Sequence, residues 1–100
     1  MTSPKIFWSV RFTTGFHRTY RNLSPLDMWR MDGFIRNIVY VKDPRRVYNY
    51  TICLDCPPKI ALFGISDDGL GHKGIEVLTW LDDKTKMITF LQCRKEEKPT

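Results

Sequence analysis

Seven of the eight arginines of this 100-residue chain fall in its first half, at Arg11, Arg18, Arg21, Arg30, Arg36, Arg45 and Arg46. Residues 1–50 carry a charge of +6 and residues 51–100 a charge of −1, so one half supplies the net +5. A guanidinium is a rigid fork of donors that matches phosphate and carboxylate oxygens and stacks on flat rings. Concentrating it points to an anionic partner. Two stretches hold most of it: Arg11, Arg18 and Arg21, interleaved with Phe16, His17 and Tyr20, and Lys42, Arg45 and Arg46, followed by Tyr48 and Tyr50. Cations for phosphates beside rings for unpaired bases suit RNA or single-stranded DNA.

The same arginines are equally competent on an acidic protein surface, which gives the alternative expectation of a protein-interaction or inhibitor module of the viral or phage accessory type. Trp29 would be its anchor, because Trp29 and Leu26 project from the helix away from Met28, Met31 and Ile35. Other patterns carry less. Cys53-Leu54-Asp55-Cys56 is a CxxC that, with His72 and Cys93, could make four zinc ligands, but His72 and Cys93 lack the close pairing of a structural site. Small thiols in strands are the favoured reading. Gly69 to Gly74 spells G-x-G-x-x-G, yet a strand follows where phosphate binding needs a helix N-terminus, so the segment reads as a turn. Asp67-Asp68 and Asp82-Asp83 sit where turns favour aspartate. No nucleophile elbow, HExxH helix or carboxylate–lysine nuclease set occurs, and His17 and His72 are the only side chains of a type that titrates near neutrality. The chemistry therefore predicts no enzyme, no cofactor and a binding function.

Composition sets the frame. One hundred residues with 42% hydrophobic content support one domain, placed at 1–93, with a charged tail at 94–100. No apolar run reaches the roughly 18 residues of a membrane span, and Met-Thr-Ser-Pro-Lys is not a secretory leader. Three cysteines are too few for a disulfide framework. An intracellular protein, cytoplasmic or nuclear and not secreted, is expected.

The elements that must position these residues follow from periodicity. Residues 5–13 alternate as a strand, with Ile6, Trp8, Val10 and Phe12 on one face. A loop carrying Phe16 to Asn22 then leads to a strong helix start at Ser24-Pro25-Leu26-Asp27, and the helix runs to about Ile35, weakened at Gly33. Strands are predicted at 38–41, 47–54, 59–65, 75–81 and 87–93, with Arg45 and Arg46 at the tip of a hairpin. The sum is an α+β domain: a largely antiparallel twisted sheet or small open barrel of about six strands, with one helix between strands 1 and 2. The strand Met87 to Cys93 is a candidate edge for a homodimer.

Overall fold

The computed structural model describes residues 5–52, 60–65 and 74–95, with the side chains of 49–52 left aside. Its elements are β1 (Ser9–Phe12), α1 (Thr14–Tyr20), α2 (Pro25–Ile38), α3 (Pro44–Val47), β2 (Asn49–Ile52), β3 (Ile60–Ile65), β4 (Ile75–Asp82) and β5 (Met87–Lys95). One five-stranded sheet runs in the order β1-β5-β4-β3-β2. β1 lies parallel to β5, and the other neighbours are antiparallel. This corrects the expected architecture of six largely antiparallel strands with one helix: the sheet is mixed, the described helices number three, and the strand expected at 38–41 is absent.

Each departure has a local cause. The segment after β1 looked like a loop because its threonines and Gly15 are poor helix formers. It is helical because the Thr13 hydroxyl caps it, accepting from the Phe16 N–H at 3.1 Å, and because Phe16 is buried on the sheet. Packing, not propensity, holds a helix this short. Ile38 belongs to α2 because it continues the stripe of Met31 and Phe34, all three buried. Asp43-Pro44 is a helix start, not a hairpin turn: the Asp43 side chain accepts from the Arg45 N–H, and Pro44 fills the first helical position of α3.

The core forms on one face of the sheet. Along β4, Ile75, Val77, Thr79 and Leu81 are buried and alternate with half-buried Glu76, Leu78, Trp80 and Asp82. Phe63, Ile88, Phe90 and Cys93 extend this floor, and Trp8, Phe16, Met31, Phe34 and Ile38 pack on it. Trp8 also donates its indole N–H to the Lys42 carbonyl at 3.2 Å.

α1 is fastened to a defect in β5. β1 ends opposite Phe90, and the β4–β5 register skips Leu91, so β5 beyond that point has no strand on its β1 side. Two threonines take over. Thr13 Oγ1 lies 3.1 Å from the Phe90 and Leu91 carbonyl oxygens, and Thr19 Oγ1 accepts the Cys93 N–H at 3.0 Å. Gly15 permits the approach: a Cβ there would stand 3.0 Å from the Leu91 oxygen.

A buried carboxylate ties α2 to the end of the sheet. Ser24 caps the helix by accepting the Asp27 N–H at 3.2 Å, while the Asp27 carboxylate accepts from Lys95 Nζ at 2.8 and 2.9 Å and from Arg30 Nη1 at 3.0 Å. Burial pushes the Asp27 carboxyl up, but the hydrogen bonds from Lys95, Ser24 and Arg30 together outweigh it and hold it below the ordinary carboxylate range.

Candidate functional site

The arginines separate into two populations. Arg45 is held by acids: its Nη2 reaches Asp83 at 2.8 Å and its Nε reaches Asp43 at 3.1 Å. Asp83 first, and Asp43 with it, outweigh desolvation and raise the already high Arg45 pKa. Arg46 is nearer to solvent, with a looser 3.6 Å contact to Asp43. Arg30 is tied to Asp27, and Arg94 to Glu76 at 2.8 Å. Arg11, Arg18, Arg21 and Arg36 are exposed and face no carboxylate within ion-pair distance among the described residues.

Arg11, Arg18 and Arg21 sit at the β1–β5 end of the sheet, whereas α3 carries Arg45 and Arg46 beside β2. The two stretches form surfaces on different elements, although Lys42 reaches back to the start of β1, its carbonyl accepting from the Trp8 indole at 3.2 Å, and Arg45 meets Asp83 of the β4–β5 turn. On the first, His17, Arg18 and Arg21 share the outer side of α1, which has no acid in its first turn. The His17 ring lies 6.1 Å from Phe12 and 6.3 Å from Phe16, centroid to centroid. Tyr20 is turned inward: its ring packs on Phe16 at 5.8 Å and its hydroxyl donates to Asp32 at 2.8 Å, a bond that with burial raises its pKa.

The second surface is a groove of about 620 Å³ between α2 and the β2–β3 side of the sheet. Trp29, Gly33 and Phe34 of α2 line one wall, and Val47, Tyr48, Gly64 and Ile65 line the other. Trp29 is 68% exposed and Val47 63%, large values for apolar side chains. Tyr48 is fixed by Phe34, edge-on at 4.9 Å, and by Phe63 at 6.4 Å, and burial raises its pKa. Among the described residues the lining includes Arg30, Arg36 and Asn37 and no carboxylate. A smaller hollow of about 460 Å³ adjoins it through Val47 and brings Lys42 and Arg46, with Asp43, to the same rim. Sequence reasoning found Trp29 from the helical period, but missed Arg36, Val47 and Gly33. Gly33 and Arg36 had a readable signal, lying four and seven residues from Trp29 on the same side of a helix, though Arg36 fell just past the helix end expected at about Ile35.

The side chain of Tyr50, and Cys53, Cys56 and His72 of the proposed zinc set, lie outside the described residues. Cys93 is buried, with its Sγ 3.7 Å from Thr19 Oγ1, and burial raises its pKa despite the hydrogen bond it shares with Thr19. Among the described residues no three metal-binding side chains cluster. None of the described helices is long and apolar enough to cross a membrane. β5 lies between β1 and β4, so the edges of the sheet are β1 and β2, not the strand expected to support a dimer.

No protein-family model matches the chain. No curated protein sequence matches it either. Its fold, three helices on a mixed sheet, is that of toxins from toxin–antitoxin systems. It resembles a chain of the RelBE2 toxin–antitoxin complex of Mycobacterium tuberculosis with a TM-score of 0.65 at 20% identity, over 91% of this chain and 100% of that one. It resembles a chain of the archaeal RelE–RelB complex of Pyrococcus horikoshii with a TM-score of 0.66 at 17% identity, over 94% and 100%. Against the isolated E. coli RelE toxin the TM-score is 0.63 at 13% identity, over 92% and 87%. These likenesses overturn the expectation of a plain non-catalytic binder of RNA or single-stranded DNA, because the proteins that share the fold are toxins found with antitoxins. The alternative, a chain that docks on an acidic partner, agrees with them better.

Proposed function

We propose that this chain is the toxin of a toxin–antitoxin pair, acting on RNA and held inactive by an acid-rich protein partner. The observation that carries the reading is the likeness over nearly the whole chain to an isolated RelE toxin and to chains of two RelE–RelB type complexes. The charge distribution supports it. A net charge of +5, with the guanidinium groups of Arg11, Arg18 and Arg21 facing no carboxylate among the described residues, favours approach to a polyanion and to an acidic protein alike.

Cleavage of RNA requires a base to take the 2′-hydroxyl proton, cations to stabilise charge on the phosphorus oxygens as the 2′-oxygen attacks, and protonation of the departing 5′-oxygen. His17, Arg18 and Arg21 on α1 supply both types of group on one exposed face, with Arg11 on the neighbouring strand. Two measurements test the reading together. Induction of the chain in E. coli should arrest growth and change the cleavage pattern of cellular RNA. His17→Ala and the combined Arg18→Ala, Arg21→Ala variant should each weaken both effects roughly tenfold or more. Growth and RNA patterns identical with and without induction of soluble protein would remove the toxin reading.

A further inference from the structure

Phe12 is an aromatic ring held like a core residue and yet left at the surface. It ends β1, an edge of the sheet, so among the described residues no strand covers its outer side, and it stays 37% exposed. A single exposed apolar residue is ordinary. Phe12 differs in how firmly its ring is fixed. Phe90 stacks on it at 5.3 Å with 23° between the planes, and Phe16 lies at 5.3 Å and 34°. Both of these rings are buried, so the clamp belongs to the core. The exposed His17 imidazole borders Phe12 at 6.1 Å and 53°. Cations follow at once along α1. Arg18 and Arg21 lie within four residues of His17, about 6 Å of helix rise, and neither faces a carboxylate among the described residues.

We propose that Phe12 is the seat of one unpaired nucleobase, which sets the register of an RNA strand on α1 so that the sugar carrying that base lies beside His17. A base offers a flat face that stacks on an aromatic ring, and a ring already immobilised by its neighbours loses little freedom when it is covered. Each base also brings a phosphate, so a fixed ring with two cations one helical turn away matches a nucleotide as a unit. An acidic peptide matches the cations and leaves the ring unused. An RNA duplex matches the cations too, but its bases are stacked on one another and closed to Phe12. The choice of RNA, and the role of His17 beside the sugar, rest on the toxin reading; the seat itself rests on the geometry of the rings and the arginines.

The probe is a fluorescein-labelled strand of about six uridines, 2′-O-methylated so that it cannot be cleaved, because uridines stack weakly on one another. Its counterpart carries the same number of phosphates and no bases. In anisotropy titrations with the full chain the base-free strand should bind about tenfold more weakly, the worth of one stacked base. Phe12→Leu keeps the apolar bulk and removes the flat ring. It should weaken the uridine strand by a similar factor and leave the base-free strand as it was, and Phe12→Trp should restore the difference. Salt separates ring from cations. The combined Arg18→Ala, Arg21→Ala variant should weaken both strands and lower the slope of log affinity against log salt by about one to two units, whereas Phe12→Leu should leave the slope alone. Tyr40→Leu, which removes another exposed ring, 45% exposed at the end of α2, should change neither strand.

Equal binding of the two strands by the unaltered chain overturns the proposal, and that result needs no variant to fold. So does failure of both strands to bind, or a loss in Phe12→Leu that both strands share. Binding of polyglutamate that falls with Phe12→Leu as RNA binding does would assign the ring to a protein partner and overturn it too. Growth arrest separates this proposal from the toxin reading. Arrest on induction with equal binding of the two strands removes the base seat alone, and base-dependent binding without arrest removes the toxin reading alone.

Discussion

At the scale of single residues, Asp27 joins the start of α2 to the end of β5. It is 4% exposed and accepts from Lys95 and Arg30, with the Ser24 hydroxyl beside it. Replacing it with alanine removes the carboxylate that Lys95 and the largely buried Arg30 share, and should cost about 2–3 kcal/mol in urea denaturation. The same group sets an acid limit. Its folded pKa is depressed, so its contribution is complete above the unfolded carboxylate value of about 3.9 and is lost as pH falls through the lower folded value. Asp43 is shifted in the same direction: burial raises it, but Arg45 above all, and Arg46, more than offset that. The melting temperature should therefore fall steeply below about pH 4, and Asp27→Asn should flatten part of that fall. A melting curve equally steep in the variant would reject Asp27 as a contributor. The capping pair Ser24 and Asp27 was legible in the sequence, because a cap depends on neighbours three residues apart. The reach of Asp27 to Lys95, 68 residues away, was not.

Among elements, α1 is the one that sequence patterns concealed. Its helix propensity is low, and what fixes it is the row of backbone groups that β5 leaves open past Phe90. Thr19→Val removes the acceptor for the Cys93 N–H and should cost about 1–2 kcal/mol, the penalty of an unsatisfied buried donor. Gly15→Ala should cost about 1 kcal/mol or more, since the new methyl must push the Leu91 carbonyl away from 3.0 Å. Gly33→Ala should do the opposite and raise stability by about 0.5–1 kcal/mol, because α2 gains helix propensity and no clash. Finding the two alanine variants shifted in the same direction by chemical denaturation would contradict this account of the helices. Position in the chain gives no hint of the difference. Both glycines stand inside helices, and only the element packed against each one distinguishes them.

Across the whole molecule, the parallel pairing of β1 with β5 closes the fold by joining residues almost 80 positions apart. Trp8, 2% exposed, anchors that closure through its packing and through the bond to the Lys42 carbonyl. Trp8→Ala should cost about 3–5 kcal/mol and leave a chain that populates unfolded states at ambient temperature, measurable by fluorescence-monitored unfolding. Sequence alone determined what local rules govern: the period of two in β4 and, up to its bulge, in β5, the start of α2, the outward direction of Trp29, and the concentration of arginine in the first half. The alternation read over residues 5–13, by contrast, shrank to a four-residue strand with Ile6 and Phe12 exposed. Only the tertiary structure decided which cations stay unneutralised. Ion pairs such as Arg45 with Asp83 join segments 38 residues apart, and pairing by distance in space leaves no periodic trace in a sequence. The groove over Gly33 was decided in the same way, because a concave surface belongs to two elements at once and is written in neither.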